Sequence, residues 1–369
     1  MAVIIALLIS PVGLAFWLAL GLTILFAVRR TSRERHQYLR AIHPKHIEIA
    51  RFFWVGILIG IVVSAISVLA RLQVSLAALL ALSGLTVIGL ILSAWSFSPW
   101  WLGLASLATF IQPDYSDTDG QLAANLALLI GLLWLAQAVL ARLNRGDQLE
   151  SPVILADRRQ RKSAAFRLRQ FYWVPLLVPV DPAQVAGSPV LTVIIQAFAI
   201  VGLPLILGAS FTAQHDRAKM HWQRSWPWFA GAGGALVVYG VAARLLFLPA
   251  LVSAIVPACI SVILGIGLLW QGHKVYLTVT RTDRGVVLIG VVPDTPAAQM
   301  NLQPGDRVLS CNHIAVNSAS ELYDAIQKEP TYCRLRLQQA DGELRLAETA
   351  IFSGAPHELG MILFPEETA

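Results

Sequence analysis

The sequence predicts a polytopic α-helical membrane unit followed by a small α+β domain, on the strength of three observations. The 369 residues are 56% hydrophobic and only 14% charged, with a mean hydropathy of +0.64, well outside soluble globular usage. The apolar residues are concentrated before His273. Beyond it the composition becomes that of a soluble domain, with short alternating runs separated by Pro, Gly and Asp turns. Two units follow, a multi-span unit over 1–272 and a second domain over 273–369.

About eight spans are expected, because some 20 consecutive apolar residues are needed to cross a bilayer as a helix. The first, over 12–28, ends at Arg29-Arg30 and is read as a retained anchor. The second covers 52–69. The stretch 75–111 is long enough for two, broken at Ser96-Phe97-Ser98-Pro99, with Trp95, Trp100 and Trp101 flanking the break as an aromatic belt. Further spans are expected over 122–143, 190–211, 226–247 and 250–270. Arg244 sits near a span end, where it can snorkel. Gly231, Gly233 and Gly234 suit close helix packing.

The net charge of +6 comes largely from basic residues between spans, which argues for topology signals and anionic lipid headgroups rather than nucleic acid. Segments 29–51 and 145–169 are rich in Arg, whereas 112–121 carries Asp114, Asp117 and Asp119. The charge count is self-contradictory. If 145–169 is inside and three spans follow, the second domain emerges outside, yet Arg217, Lys219 and Arg224 would then also be outside. One apolar segment is therefore expected to be re-entrant or not a span.

No enzyme chemistry is legible. His43 and His46, with Pro44 between them, read as a solvated loop. His357-Glu358 lacks the second histidine of a zinc-protease helix, and no Gly-x-Ser-x-Gly elbow occurs. No cofactor is expected. The three cysteines, Cys259, Cys311 and Cys333, are read as small buried hydrophobes. Reduced thiols in the second domain favour the cytoplasm.

The second domain carries the recognisable pattern. Val286 to Val292 reads as a strand; Pro293 to Ala298 gives a turn, an N-cap at Asp294 or Thr295 and a proline at the first helical position. Leu302-Gln303-Pro304-Gly305-Asp306 turns into a strand over Arg307 to Cys311. A helix capped by Ser318 or Ser320 follows, with Leu322, Ala325 and Ile326 on one face. Cys333 to Leu337 alternates and Glu343 to Phe352 alternates in part, with Ala340-Asp341-Gly342 as the hairpin turn between them, and a strand ends the domain at 357–364. This order resembles a PDZ domain. Glu358-Leu359-Gly360-Met361 resembles the family's carboxylate-binding loop, placed last as in a circularly permuted member.

The resemblance implies peptide capture by strand addition. Leu359, Gly360, Met361 and Ile362 would form one side of the groove, and Ala319, Leu322, Tyr323 and Ile326 the other. Glu358 stands where the family has a hydrophobic residue and would repel a terminal carboxylate, which leaves internal peptides or folded partners open.

The whole layout of spans, basic segments (the second leading into Arg169 to Leu176) and one PDZ-like domain resembles the MinJ-type cell-division topology proteins of Gram-positive rod-shaped bacteria. That resemblance implies a non-enzymatic membrane scaffold at septa and poles. Its PDZ domain would be cytoplasmic, its partners DivIVA-like and MinD-like division proteins, and a homo-oligomer is compatible with it. The alternative is an accessory or degenerate component of a membrane protease system that presents substrates through the PDZ domain.

Overall fold

The computed structural model describes residues 11–38, 42, 46–111, 118–143, 150–156, 162–180, 200–213, 218–273, 279–280, 282, 284–339, 342–351 and 359–364. The apolar unit begins with α1 (Pro11–Tyr38), α2 (His46–Leu69), α3 (Leu76–Leu92), a 3-10 helix (Pro99–Ile111) and α4 (Thr118–Leu143). Strands β1 (Glu150–Ala156), β2 (Lys162–Pro179) and β3 (Ile200–Ala213) follow, then α5 (Ala218–Arg224), α6 (Trp226–Leu245) and α7 (Ala250–His273). Among the described residues five helices are long and apolar enough to cross a membrane, with α3 as a shorter apolar helix.

The expected span over 190–211 is corrected. Where it is described, from Ile200 onward, it is β3, paired antiparallel with β2 from Phe166↔Ala213 to Pro179↔Ile200. Part of the basic segment 145–169 is likewise strand, so Arg167 and Arg169 stand on β2. Burial on both faces explains the misreading. On β3, Leu203, Leu205, Leu207 and Ala209 fill one cluster while Ile206 packs into another on the opposite side. A strand covered on both faces reads as a continuous apolar run, like a span.

A hairpin inside an apolar unit must have its edges closed, because an unpaired backbone group away from water is costly. Neighbouring helices and turns close these. On the β3 side, the buried Gln137 of α4 accepts from Gly208 N–H at 3.0 Å and donates to Gly208 O at 2.9 Å, and Phe97 exchanges two backbone hydrogen bonds with Ser210. On the β2 side, Leu177 N–H donates to Ser64 Oγ at 2.8 Å, and Val74 N–H donates to Pro179 O at 3.1 Å. The close approach of α2 depends on small residues at every fourth position. A Cβ on Gly56 would collide with Trp173 O, and one on Gly60 would stand 2.7 Å from Pro175 O. Gly233 similarly faces Gly131 and Leu135 of α4, whereas Gly231 and Gly234 meet nothing within 4 Å. Trp100 and Trp101 pack against Gly265 and Gly89 rather than forming a belt, and only Trp95 is exposed.

Contacts sort the elements to two ends of the unit. The 24 residues of α2 span about 36 Å at ~1.5 Å per residue. Near its start, Glu48 meets Arg30 of α1 at 2.7 Å, Arg33 reaches Ser151 of β1, Arg142 of α4 lies over Trp226 of α6, and Gln271 of α7 bonds His221 of α5. Beyond the far end of α2, Gln73 O accepts from Asn125 of α4, and Arg244 of α6 donates to Ala70 O at 2.8 Å. The hairpin thus leaves and returns to the same end. The Arg-rich end of α1, the start of β2, α5 and the exit of α7 all share it, which removes the contradiction in the charge count.

The second unit starts with β4 (Val279–Thr280), which pairs with β2 at Ala164 and Ser163. It continues through β5 (Val286–Val291), α8 (Pro296–Gln299), β6 (Arg307–Cys311), β7 (Ile314–Ala315), α9 (Ala319–Lys328), β8 (Tyr332–Gln338), β9 (Leu344–Ala350) and β10 (Met361–Leu363). The sheet order is β10-β5-β6-β8-β9, with β7 beside β6. One face packs with α8 and α9 into a single core. Val287, Ile289, Ile362 and Phe364 from the other face belong to the cluster of the apolar unit.

Candidate functional site

The end strand β10 is built by the turn before it. Leu359 and Gly360 both take left-handed backbone, with φ of 53° and 86°. Glycine is required at the second position, where a Cβ would collide with the Thr295 side chain. The turn is anchored through its carbonyls, with Ala297 N–H donating to Leu359 O at 3.0 Å and Val292 N–H to Gly360 O at 2.8 Å. Thr295 occupies the N-cap position of α8, as expected, but its hydroxyl donates to Val292 O at 2.6 Å instead of accepting from the helix, which holds the same corner.

This anchoring sets the direction of the next peptide groups. Carbonyl and N–H point opposite ways across a trans peptide, so with Gly360 O turned toward β5 the Met361 N–H is turned away from it. Met361↔Val291 and Ile362↔Gly290 are the paired positions that follow. In an antiparallel ladder they alternate, so Met361 directs both backbone groups to the outer edge and Ile362 directs its own toward β5. Among the described residues β10 has β5 as its sole neighbour.

The expected groove residues divide by exposure. Tyr323 is 41% exposed on α9 and Ala319 is half-buried. Leu322 and Ile326 are buried in the same core as Leu359 and Met361, whereas the Ile362 side chain joins the opposite cluster. It is therefore the backbone of β10, rather than its side chains, that is presented. α9 is held by a reciprocal cap. Ser318 Oγ accepts from Glu321 N–H at 3.1 Å, and Glu321 accepts from Asn317 N–H at 2.8 Å. Ser318 rather than Ser320 is the cap, and the helix begins at Ala319. His43, His357 and Glu358 lie outside the described residues.

Cys311 and Cys333 are buried, their sulfurs 3.8 Å apart. The shared hydrogen bond and then burial push the Cys333 thiol up, as suits a neutral donor in that pair. Cys259 is exposed, contrary to the expectation of burial.

A group of charged residues, which the sequence suggests only as separate basic segments and not as one site, lies at the base of the hairpin. Arg29, Arg30 and Arg33 of α1 meet Arg167 and Arg169 of β2 around a cavity of about 310 Å³. Three of the five lie within one stretch of α1. Only the hairpin brings in the rest.

The fold joins helices long and apolar enough to cross a membrane to a PDZ domain, and residues 271–338 match the PDZ domain family. The chain is 68% identical over 369 residues, the full length of both proteins, to the probable cell division topological determinant MinJ of Lacticaseibacillus paracasei. It is 23% identical over 374 residues to the cell division topological determinant MinJ of Bacillus subtilis strain 168, covering 95% of this chain and 92% of that protein. The chain belongs to the MinJ family of cell division topological determinants. The periplasmic serine endoprotease DegP of Escherichia coli K12 is 36% identical over 64 residues only, 17% of this chain and 14% of the protease.

Proposed function

We propose that this chain is a non-enzymatic membrane scaffold in division-site placement, recruiting partner proteins by strand addition to β10. The observation that carries the reading is the outward-facing backbone of Met361 on an end strand fixed by Gly360. A partner segment would pair with that edge, with Ala319 and Tyr323 forming the opposite wall and Leu322, Ile326, Leu359 and Ile362 supporting the groove. In this reading β10 fills the peptide-binding strand position of a PDZ domain from the end of the sequence, as in a circular permutation.

The proposed partners are the DivIVA-like and MinD-like division proteins that the family resemblance implies, at septa and poles. The PDZ domain would be cytoplasmic. In support, the arginines of α1 and β2 share one end of the apolar unit with the exit of α7, and basic ends lie inside. A C-terminal topology reporter tests sidedness. Recruitment is tested with Gly360→Leu and, as a surface change that leaves the core alone, Tyr323→Ala. Loss of septal partner enrichment in both, with membrane localisation retained, is the expected result. Unaltered recruitment in both would reject the groove.

A further inference from the structure

The basic cavity at the base of the hairpin is the strongest unassigned feature. Its buried centre is Arg30, whose charge is matched. The Arg30 guanidinium contacts Glu34 at 3.1 Å and Glu48 at 2.7 Å. The other four arginines make no salt bridge among the described residues. Arg33 donates to Ser151 Oγ, Arg167 to Thr212 Oγ1, and Arg169 to Ala94 O while lying 4.0 Å over the Phe26 ring. Arg29 is exposed at the rim. Four like charges converge on one cavity from two elements far apart in sequence, three of them held by neutral acceptors, and the Glu48 carboxylate that also lines the cavity is engaged by Arg30. Self-repulsion is relieved when an anion enters.

The position of the cavity specifies the anion. On α1, Ile24, Leu25 and Val28 are exposed apolar residues immediately before Arg29, and the helix surface then turns polar through Arg35 and His36. The cavity therefore opens where an apolar, lipid-facing surface gives way to charge, the depth of a phosphate headgroup. Basic cavities between membrane elements have this chemistry. We propose that Arg29, Arg33, Arg167 and Arg169 bind the phosphate headgroup of an anionic phospholipid from the leaflet at the arginine-rich end. Arg30, pinned by Glu34 and Glu48, positions α1 against α2 to shape the cavity. The site is separate from the β10 edge and does not depend on it.

The test uses the full chain, purified in detergent and delipidated. Binding is measured by native mass spectrometry against cardiolipin, phosphatidylglycerol, phosphatidylcholine and inorganic pyrophosphate. Retention of the two anionic lipids and not phosphatidylcholine is expected. Arg29→Gln, at the exposed rim, should weaken retention about fivefold, and Arg33→Gln with Arg167→Gln about 25-fold, at roughly one such factor per arginine. Arg336→Gln, an exposed change on β8 that removes the same charge elsewhere, should leave it unaltered. Equal binding of phosphatidylcholine, an equal loss in Arg336→Gln, or wild-type retention in Arg29→Gln would overturn the proposal. Pyrophosphate binding without lipid binding would overturn the lipid source in favour of a soluble phosphate ligand.

Discussion

The chain contains two sheets that handle their edges in opposite ways. Around the β2–β3 hairpin the outer backbone groups are met by Gln137, Ser64, Phe97 and Val74. In the PDZ domain, the outer edge at Met361 has no strand beside it among the described residues. The difference follows from solvent. In apolar surroundings an open edge leaves polar groups with no partner at all, so helices must supply side chains or backbone to close it. In water an open edge is hydrated at little cost and remains available for another chain. The same strand chemistry is structural in one unit and, under the proposed function, recognitional in the other.

The most severe way to break the hairpin side is to enlarge the stripe that lets α2 reach it. Gly60→Leu would drive its side chain into Pro175, and neither partner can yield without separating α2 from β2. The expected result is loss of folded protein from membranes, read as accumulation and protease resistance. Gly231→Leu, which faces open space, should be tolerated by the same readouts.

Gln137→Leu comes next. It preserves volume but orphans the N–H and C=O of Gly208, at about 1–3 kcal/mol for each group. A lowered melting midpoint in detergent is expected, with Gln137→Glu intermediate because it keeps the acceptor. No change in Gln137→Leu would mean that the edge is closed by something else.

The second sheet was legible in the sequence because its turns have chemical signatures. Gly305 takes φ of 98° and Asp306 accepts from Gln303 N–H at 2.9 Å, as the Pro304-Gly305-Asp306 turn predicts. The alternation of β8 keeps one face buried and the other outward. The hairpin was not legible, since burial on both faces erased the alternation that distinguishes a strand from a span. Signals were nevertheless present. Pro204 and Gly208 lie in the misread run, its β-branched Ile200, Val201 and Ile206 favour strands, and the charge count failed until one span was withdrawn. Gly56, Gly60 and Ser64, spaced by four, mark a face of α2 meant for close approach. The cavity arginines could be listed from the sequence but not assembled, because pairing across the hairpin brings Arg167 and Arg169 to α1.

The smallest effect, and the one that asks whether the two sheets are energetically separate, is Ser318→Ala. It removes the side-chain acceptor for Glu321 N–H at the start of α9, a cap worth about 1 kcal/mol. Hydrogen exchange on the full chain in detergent should then accelerate about fivefold in α9. The amides of β2 and β3, whose partners are untouched, should exchange at the wild-type rate. Val287, Ile289, Ile362 and Phe364 join the second sheet to the cluster of the apolar unit, so faster exchange in β2 as well would show that this contact couples the two, and that a partner docking on β10 could be sensed at the hairpin.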